Sequence, residues 1–373
     1  MESPLGQVAP AATSSTHVEQ FEFRGSGGEY FRIWIVNLAL SILTLGIYSA
    51  WAKVRRLKYF YGNTVLAGSP FGYHAEPLKI LKGRLIAVAL FVVYSVAGEI
   101  SALLGAIAGV ALFFAIPWIV VRSRIFMMRM SSYRNVRFGF ERNYGGAFRT
   151  YVLSAFGVAL TLGALFPWWV KRRWDFTVEN SRFGQTPFVP SFRTGAFFAL
   201  YAKGFFVLLG GLLVVLLLGA GLVATGLVML PDFGEMFGNA DTAAAAATDP
   251  GAVVAMVFAG YLLVIPAFIA FGAYVRKHVL NTVYGNTAIG PHRLRSTLQF
   301  RWLFWLYLSN AVMVIVTAGL FIPWAHVRLA RYRAECIVLE VQDSLDGFIA
   351  AEQEAGTATG DEVGDFFDVD LGL

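Results

Sequence analysis

One stretch decides how this chain is organised: Leu43-Thr44-Leu45-Gly46-Ile47-Tyr48-Ser49-Ala50-Trp51-Ala52-Lys53-Val54-Arg55. It joins an apolar run to a group of bases through a Thr-x-Gly step. Threonine and glycine within an apolar helix allow a bend or the close approach of a neighbouring helix. Tryptophan favours the boundary between lipid and water, where the following bases reach phosphates. The stretch is therefore typical of a chain leaving a bilayer.

The same pattern recurs twice. A shift of 117 residues brings Thr161-Leu162-Gly163 onto the first Thr-x-Gly step, and a further 156 residues leads to Thr317-Ala318-Gly319. The positions that agree in spacing are Asn37, Ser154 and Asn310 upstream, and Trp51 with Arg55, Trp168 with Arg172 and Trp324 with Arg328 downstream. Chance does not readily give so many spaced matches, so we interpret the chain as internally repeated.

Composition points to a membrane protein. Apolar residues make up 57% of the chain and charged residues only 14%, whereas a soluble domain has about 25% charged residues. Seven segments approach the roughly 20 apolar residues needed to cross a bilayer: 32–52, 85–104, 105–121, 150–170, 196–230, 251–275 and 302–327. The sequence therefore predicts a polytopic membrane protein.

The charge pattern leaves the path of three segments open. Basic residues in short loops stay cytoplasmic, which places the basic loops and the C-terminus there and the acidic 231–250 loop on the opposite side. The segments 32–52, 150–170 and 302–327 carry bases at both ends. They either dip in and return, lie partly in the interface, or break the charge rule.

Short polar pieces follow the apolar segments. They contain Tyr61-Gly62-Asn63-Thr64, Tyr133-Arg134-Asn135-Val136 and Tyr284-Gly285-Asn286-Thr287, amid β-favouring residues and glycine turns. These features predict short strands or hairpins, with Asn63, Asn135, Asn180 and Asn286 as repeated turn residues. The expected fold is all-α and polytopic, with internal repeats and short β-hairpins between helices on the cytoplasmic side.

The repeats suggest a division of the chain. Residues 1–20 form a disordered N-terminus, 21–140 a first membrane unit, 141–300 a second, and 301–340 a partial third. Residues 341–373 have no Lys or Arg and many acids, which predicts a solvated, disordered tail.

The first unit resembles a known family. The run Gly25-Ser26-Gly27-Gly28-Glu29-Tyr30-Phe31, then Trp34-Ile35-Val36-Asn37 and the stretch quoted first, is similar to the opening of the YjgN-like bacterial inner-membrane proteins. The resemblance covers roughly residues 21 to 340. It implies a multi-pass protein of the bacterial inner membrane in an uncharacterised family, and it brings no site residues.

Motifs for catalysis are missing from the sequence. It has no His-Glu-x-x-His, no phosphate-cradling loop and no nucleophile elbow, and its single cysteine, Cys336, excludes a multi-cysteine metal site. We therefore expect no enzyme activity, no cofactor and no nucleic-acid partner.

Two functions remain. A channel or transporter for an unknown solute would use a polar path or helix contacts at Asn37, Thr44, Gly46, Thr161, Gly163, Asn310, Thr317 and Gly319. A lipid-interacting or envelope-organising scaffold would contact anionic headgroups through Trp51, Arg55, Trp168, Arg172, Trp324 and Arg328. A homo-oligomer is compatible with either.

Overall fold

Five helical hairpins stand on a closed β-barrel in the computed structural model, which describes residues 16–224 and 250–358. The strands are β1 (Thr16–Phe23), β2 (Thr64–Leu66), β3 (Ser69–Tyr73), β4 (Ser131–Tyr133), β5 (Val136–Phe140), β6 (Ser181–Phe183), β7 (Thr186–Pro190), β8 (Thr287–Ile289), β9 (His292–Ser296) and β10 (Ile337–Gln342). All neighbours are antiparallel, and β1 closes the ring by pairing with both β2 and β10.

The helices lie between these strands in chain order. They are α1 (Gly27–Leu43), α2 (Ser49–Asn63), α3 (Pro77–Ile100), α4 (Ala102–Arg129), α5 (Tyr144–Phe148), α6 (Ser154–Leu160), α7 (Phe166–Glu179), α8 (Thr194–Ala224), α9 (Pro250–Gly285), α10 (Phe300–Val316) and α11 (Ile322–Glu335). A π-helical segment, Arg149–Leu153, joins α5 to α6. A last helix, α12 (Leu345–Ala358), follows β10.

The prediction of an all-α fold is wrong, although its short hairpins are present. Each hairpin alone has only three to five residues per strand, and an isolated two-stranded hairpin is marginal in water. Pairing consecutive hairpins edge to edge satisfies the exposed backbone groups of every strand and leaves no open edge. The apolar–polar pattern of a three-residue strand is too short to predict this closure. The closure depends on pairing between strands that are far apart in the chain.

Side chains end each helix where a strand begins. Asn63 donates its Nδ2 to the Tyr59 carbonyl at 2.8 Å, and Thr64 donates its hydroxyl to the Phe60 carbonyl at 2.8 Å. The same pair of bonds occurs at Asn180 with Ser181 and at Asn286 with Thr287. These bonds satisfy carbonyls of the last turn that have no partner in the helix.

The barrel interior is a packed core. Its buried members include Leu66, Tyr133, Val136, Phe183, Ile289, Leu339 and Val341, with Phe21, Phe71, Phe138, Phe188 and Leu294 packed against them. The open end at the hairpin turns is covered by α12, which inserts Leu345 and Ile349 into this core. The barrel is therefore filled by side chains, as expected for a small barrel.

Polar contacts fix α12 over the hairpin turns. Glu352 is buried and accepts from the backbone N–H of Gln185 at 2.6 Å and from the Thr186 hydroxyl. Asp346 pairs with Arg134, whose carbonyl accepts from Gln353 at 2.7 Å. This is a specific cap, and it lies where the sequence suggested a disordered tail.

Parts of both segments predicted to be disordered belong to regular elements of the fold. Residues 16–20 belong to β1, whose partners are in β10, and residues 341–358 contain the end of β10 and α12. Long-range pairing orders both segments, which composition alone could not show. Residues 1–15 and 359–373 and most of the acidic 231–250 loop lie outside the described residues.

The described residues contain helices long enough to cross a bilayer, and most of the predicted segment 251–275 lies outside the residues whose side chains are described. In the described ranges, three helices qualify by length and hydropathy: Pro77–Ile100, Ala102–Arg129 and Thr194–Leu218. The first two form a hairpin whose arms approach closely, since a Cβ on Gly105 would lie 2.9 Å from the Gly98 Cα. Each helix packs against the next along the chain, and α11 packs back against α1, so the helices form a ring above the barrel.

Candidate functional site

The three ambiguous segments are helical hairpins with the same turn. In each one, a helix from the barrel ends at the repeated Thr, and a second helix starts five residues later and returns to the next strand. The residues after the Thr have nearly identical positive φ angles: Leu45 49° and Gly46 91°, Leu162 48° and Gly163 91°, Ala318 48° and Gly319 91°. Glycine takes this left-handed conformation at little cost, which is why the Thr-x-Gly step recurs.

The repeated threonines stabilise these turns. Thr44 donates its hydroxyl to the Leu40 carbonyl at 2.7 Å and accepts from the Tyr48 N–H at 2.9 Å. Thr161 makes the equivalent bonds with Gly157 and Leu165, and Thr317 with Met313 and Phe321. Each hydroxyl therefore both donates and accepts a hydrogen bond within its own turn.

The hairpin tips are strongly apolar and exposed. Leu45 is 95% and Leu162 97% exposed, and Leu160 is 88% exposed. In the third hairpin Ala318 is exposed, with Val316 and Leu320 beside it. Exposed apolar patches of this kind mark contact with a membrane or a partner.

The upstream polar residues are buried in all three hairpins. Asn310 accepts from the Arg328 guanidinium at 2.5 Å, and Arg328 also donates to Ser309 at 3.1 Å. Ser154 donates to the Arg149 carbonyl at 2.9 Å. Asn37 is 7% exposed, and its Oδ1 has no hydrogen-bond partner. The three equivalent positions thus share burial, and among them Asn310 contacts the returning arm of its hairpin.

The predicted headgroup residues lie just below the tips. Trp51 stacks on Tyr48 with ring centroids 6.0 Å apart, and the Arg55 guanidinium lies 5.8 Å from the same Tyr48 ring. Trp324 stacks on Phe321 at 5.9 Å, while Trp168 is half-buried. Arg55 and Arg172 are exposed, whereas Arg328 is half-buried because it binds Asn310 and Ser309.

The repeated asparagines fall into two structural classes. Asn63, Asn180 and Asn286 cap helices, as described above. Asn135 instead lies in the β4–β5 turn with φ 68°, after Arg134 at φ 45°. Positive φ at both central residues is the pattern of a type I′ hairpin turn, which favours asparagine. Asn135 is therefore not equivalent to the other three, and a shared Tyr-x-Asn pattern was misleading there.

The cap helix is the element that sequence reasoning missed. Leu345, Ile349 and Glu352 recur at spacings of four and three, which puts them on one helix face, and all three are buried. His292 lies beneath the cap, 1% exposed, with its ring 4.8 Å from that of Phe348. Its Nδ1 accepts from the Gln342 N–H at 3.3 Å, and its Nε2 is buried without a partner. Burial lowers the pKa of His292, an effect that Asp343 partly opposes.

An open recess of about 490 Å³ lies between the cap and β1. Its polar lining includes His17, Glu19, Arg134, Asp343 and Asp346. Across the described ranges, no group of three His, Cys, Asp or Glu side chains is arranged to hold a metal ion.

Comparison with known proteins covers almost the whole chain. Residues 18–366 match the family described as "Bacterial protein of unknown function (DUF898)". The inner membrane protein YjgN of Salmonella typhimurium is 24% identical over 375 residues, which span 92% of this chain and 93% of the relative. YjgN of Escherichia coli K12 is 29% identical over 152 residues, 39% of this chain and 37% of the relative. No solved structure matches.

These relatives are named for the inner membrane, and the three long apolar helices agree with that location. The family match extends from β1 through the cap helix, so it includes every element described above. The chain is a member of the DUF898 family of bacterial proteins of unknown function.

Proposed function

We propose that this protein is a lipid-binding scaffold whose three short hairpins insert into the leaflet next to the barrel. One observation carries the proposal: each hairpin leaves and returns to adjacent strands of one barrel, with an exposed apolar turn at its far end. Both arms therefore start from the same side. This favours the dip-and-return path among the alternatives that the charge pattern left open.

Helix lengths support shallow insertion. On the returning helices only four, five and six uncharged residues precede Lys53, Lys171 and Arg328. At about 1.5 Å per residue this is about 6–9 Å of charge-free helix. One leaflet contributes about half of the roughly 30 Å hydrocarbon core, so the tips end within it while the cations stay at headgroup depth.

Charge supports the orientation and the partner. Bases that follow an apolar segment are favoured on the cytoplasmic side, and each is worth about 1 kcal/mol near an anionic surface. We therefore place the barrel and the C-terminal cap helix in the cytoplasm. The long hairpins α3–α4 and α8–α9 would anchor the ring across the bilayer.

The structure offers less support to a channel or transporter. The barrel below the ring is filled by aromatic side chains and covered by α12. The threonines expected along a polar path are used in their own turns. Asn310 is occupied by Arg328.

Electron paramagnetic resonance with spin-labelled lipids tests the scaffold proposal. The full chain, reconstituted in phosphatidylcholine, should immobilise spin-labelled phosphatidylglycerol more than spin-labelled phosphatidylcholine. The variant Arg55→Gln/Arg172→Gln should lose at least half of this selectivity, because each exposed base contributes about 1 kcal/mol at the surface. Arg293→Gln, an exposed base on β9 of the barrel, is the control and should keep it. Equal selectivity in the double variant and the wild type would rule the proposal out.

A further inference from the structure

Two packed helices, α2 and α3, bring a group of cations together at the first hairpin. Ser49, Lys53 and Arg56 follow one another at spacings of four and three along α2, which places them on one helix face. From α3, Arg84 donates its Nη1 to the Ser49 hydroxyl. The packing of α2 on α3 through Ala50, Val54 and Ile80 holds these two helix faces together.

A fourth titratable side chain reaches the same place from α11. The His326 ring lies 6.1 Å from that of Tyr30, which itself packs on Phe60 of α2 at 4.9 Å. Arg56 is close enough to act electrostatically on Tyr30, Lys53 and His326. Burial, and then the charge of Arg56, lowers the pKa of His326, so we refer only to Lys53, Arg56 and Arg84 as the cation cluster, with His326 beside it.

Acidic partners of the cation cluster are missing among the residues that the structure describes. Other bases near the helices are neutralised, as Lys171 is by Asp175 at 2.6 Å and Lys79 by Glu76 at 3.9 Å. Within the described part of the chain, no carboxylate pairs with any member of the cluster. Burial, and then the charges of Arg84 and Arg56, lowers the pKa of Lys53. Bringing like charges together costs free energy unless an anion offsets it.

The hairpin fold does not require this cluster. Counted from the shared Thr, the positions of Ser49, Lys53 and Arg56 are Phe166, Val170 and Arg173 in the second hairpin, and Ile322, His326 and Leu329 in the third. All three hairpins have the same turn, yet only the first has this set. The cluster therefore serves something other than the architecture.

We propose that the cation cluster is a binding site for a phosphate ester. Two guanidinium groups and an ammonium from two packed helices match the charge and hydrogen-bonding needs of phosphate oxygens. The position of the site at headgroup depth rests on the proposed lipid-binding role. A phospholipid headgroup and a soluble phosphate ester share the chemistry, and binding of each can be measured separately.

Isothermal titration calorimetry on the full chain in detergent distinguishes the two sources. The probes are glycerol 3-phosphate and dihexanoyl phosphatidylglycerol. For at least one probe, Lys53→Gln/Arg56→Gln should raise Kd at least about tenfold, since each charge-assisted contact removed is worth a factor of that order. Binding of the soluble ester alone identifies a soluble ligand, and binding of the lipid alone identifies a headgroup.

A control of equal charge makes the test specific. Arg173→Gln/Arg293→Gln also removes two positive charges, one of them at the position equivalent to Arg56, and should change Kd by less than about twofold. Lys53→Arg/Arg56→Lys keeps the charge and should retain binding, which guards against loss through misfolding. The proposal is overturned if the wild type binds neither probe, or if both neutralising double variants weaken binding equally. If Arg55→Gln/Arg172→Gln leaves lipid selectivity unchanged while Lys53→Gln/Arg56→Gln still raises Kd, the scaffold proposal is wrong and the phosphate-ester site stands.

Discussion

The cap helix can be tested through the residue that it buries most deeply in the barrel. Ile349 is 3% exposed and packs in the cluster that contains Val136, Leu339 and Val341. Replacing a buried isoleucine with alanine costs about 2–5 kcal/mol, through lost transfer free energy and the cavity left behind. We expect Ile349→Ala to lower the free energy of opening α12 by about 3 kcal/mol, or roughly a hundredfold in the opening equilibrium.

Hydrogen exchange read by mass spectrometry measures this opening locally. The Gln185 amide donates to Glu352 at 2.6 Å, so peptides covering 181–190 should exchange up to about a hundredfold faster in Ile349→Ala. Ala350→Ser, an exposed position on the same helix, is the matched control and should leave exchange unchanged. If the 181–190 peptides exchange at the wild-type rate in Ile349→Ala, α12 does not hold the barrel closed.

Three further predictions test the turns, the topology and the buried histidine. Gly46→Ala should lower the free energy of unfolding in detergent by about 1–2 kcal/mol, because φ is 91° and an L-residue is strained there. Gly62→Ala, at a helical position with open space around it, should be neutral or stabilising. Equal melting temperatures for the two variants would refute this prediction. In a Cys336→Ser background, Glu179→Cys should react with an impermeant maleimide from one side and Ser101→Cys, in the α3–α4 turn, from the other, whereas Ala164→Cys, in the exposed tip of the second short hairpin, should react from neither. Labelling at position 164 from the side that labels position 101 would show that this hairpin crosses. The pKa of His292 is lowered in the folded state, so the unfolded chain binds more protons below about pH 6.5. The contribution of His292 to the free energy of unfolding is therefore present above that pH and is lost as pH falls. His292→Leu should reduce the drop in melting temperature between pH 7.5 and 5.5, while His74→Gln, exposed after β3, should not. An unchanged drop in His292→Leu would contradict the assignment.

Local chemistry made the hairpin turns and many strands predictable. The Thr-x-Gly step identifies each tip, since only residues near it in sequence supply its hydrogen bonds. Asn63 with Thr64 marks a helix-to-strand junction for the same reason. The equivalence of Asn135 failed because a Tyr-x-Asn pattern fits both a helix end and a type I′ turn, and only backbone geometry separates them.

The cation cluster was hidden for a different reason. Lys53 and Arg56 are adjacent bases in a basic stretch, where orientation in the membrane is a sufficient explanation. Arg84 and His326 reach them from helices distant in the sequence. The sequence shows that Lys53 and Arg56 differ from the repeat. Only the packing of α2 against α3 and α11 shows which side chains surround them.

The sequence by itself determined the apolar segments, the recurring turns and the sites where helices give way to short strands, because each depends on interactions within a few residues. The tertiary structure decided that ten short strands close one barrel, that the acidic C-terminal segment caps it, and that three short helical hairpins each connect neighbouring strands of that barrel. Those features depend on backbone pairing between residues as distant as Gln20 and Val338. Such pairing leaves almost no trace in local composition, since the free energy comes from closing the edges and filling the interior together.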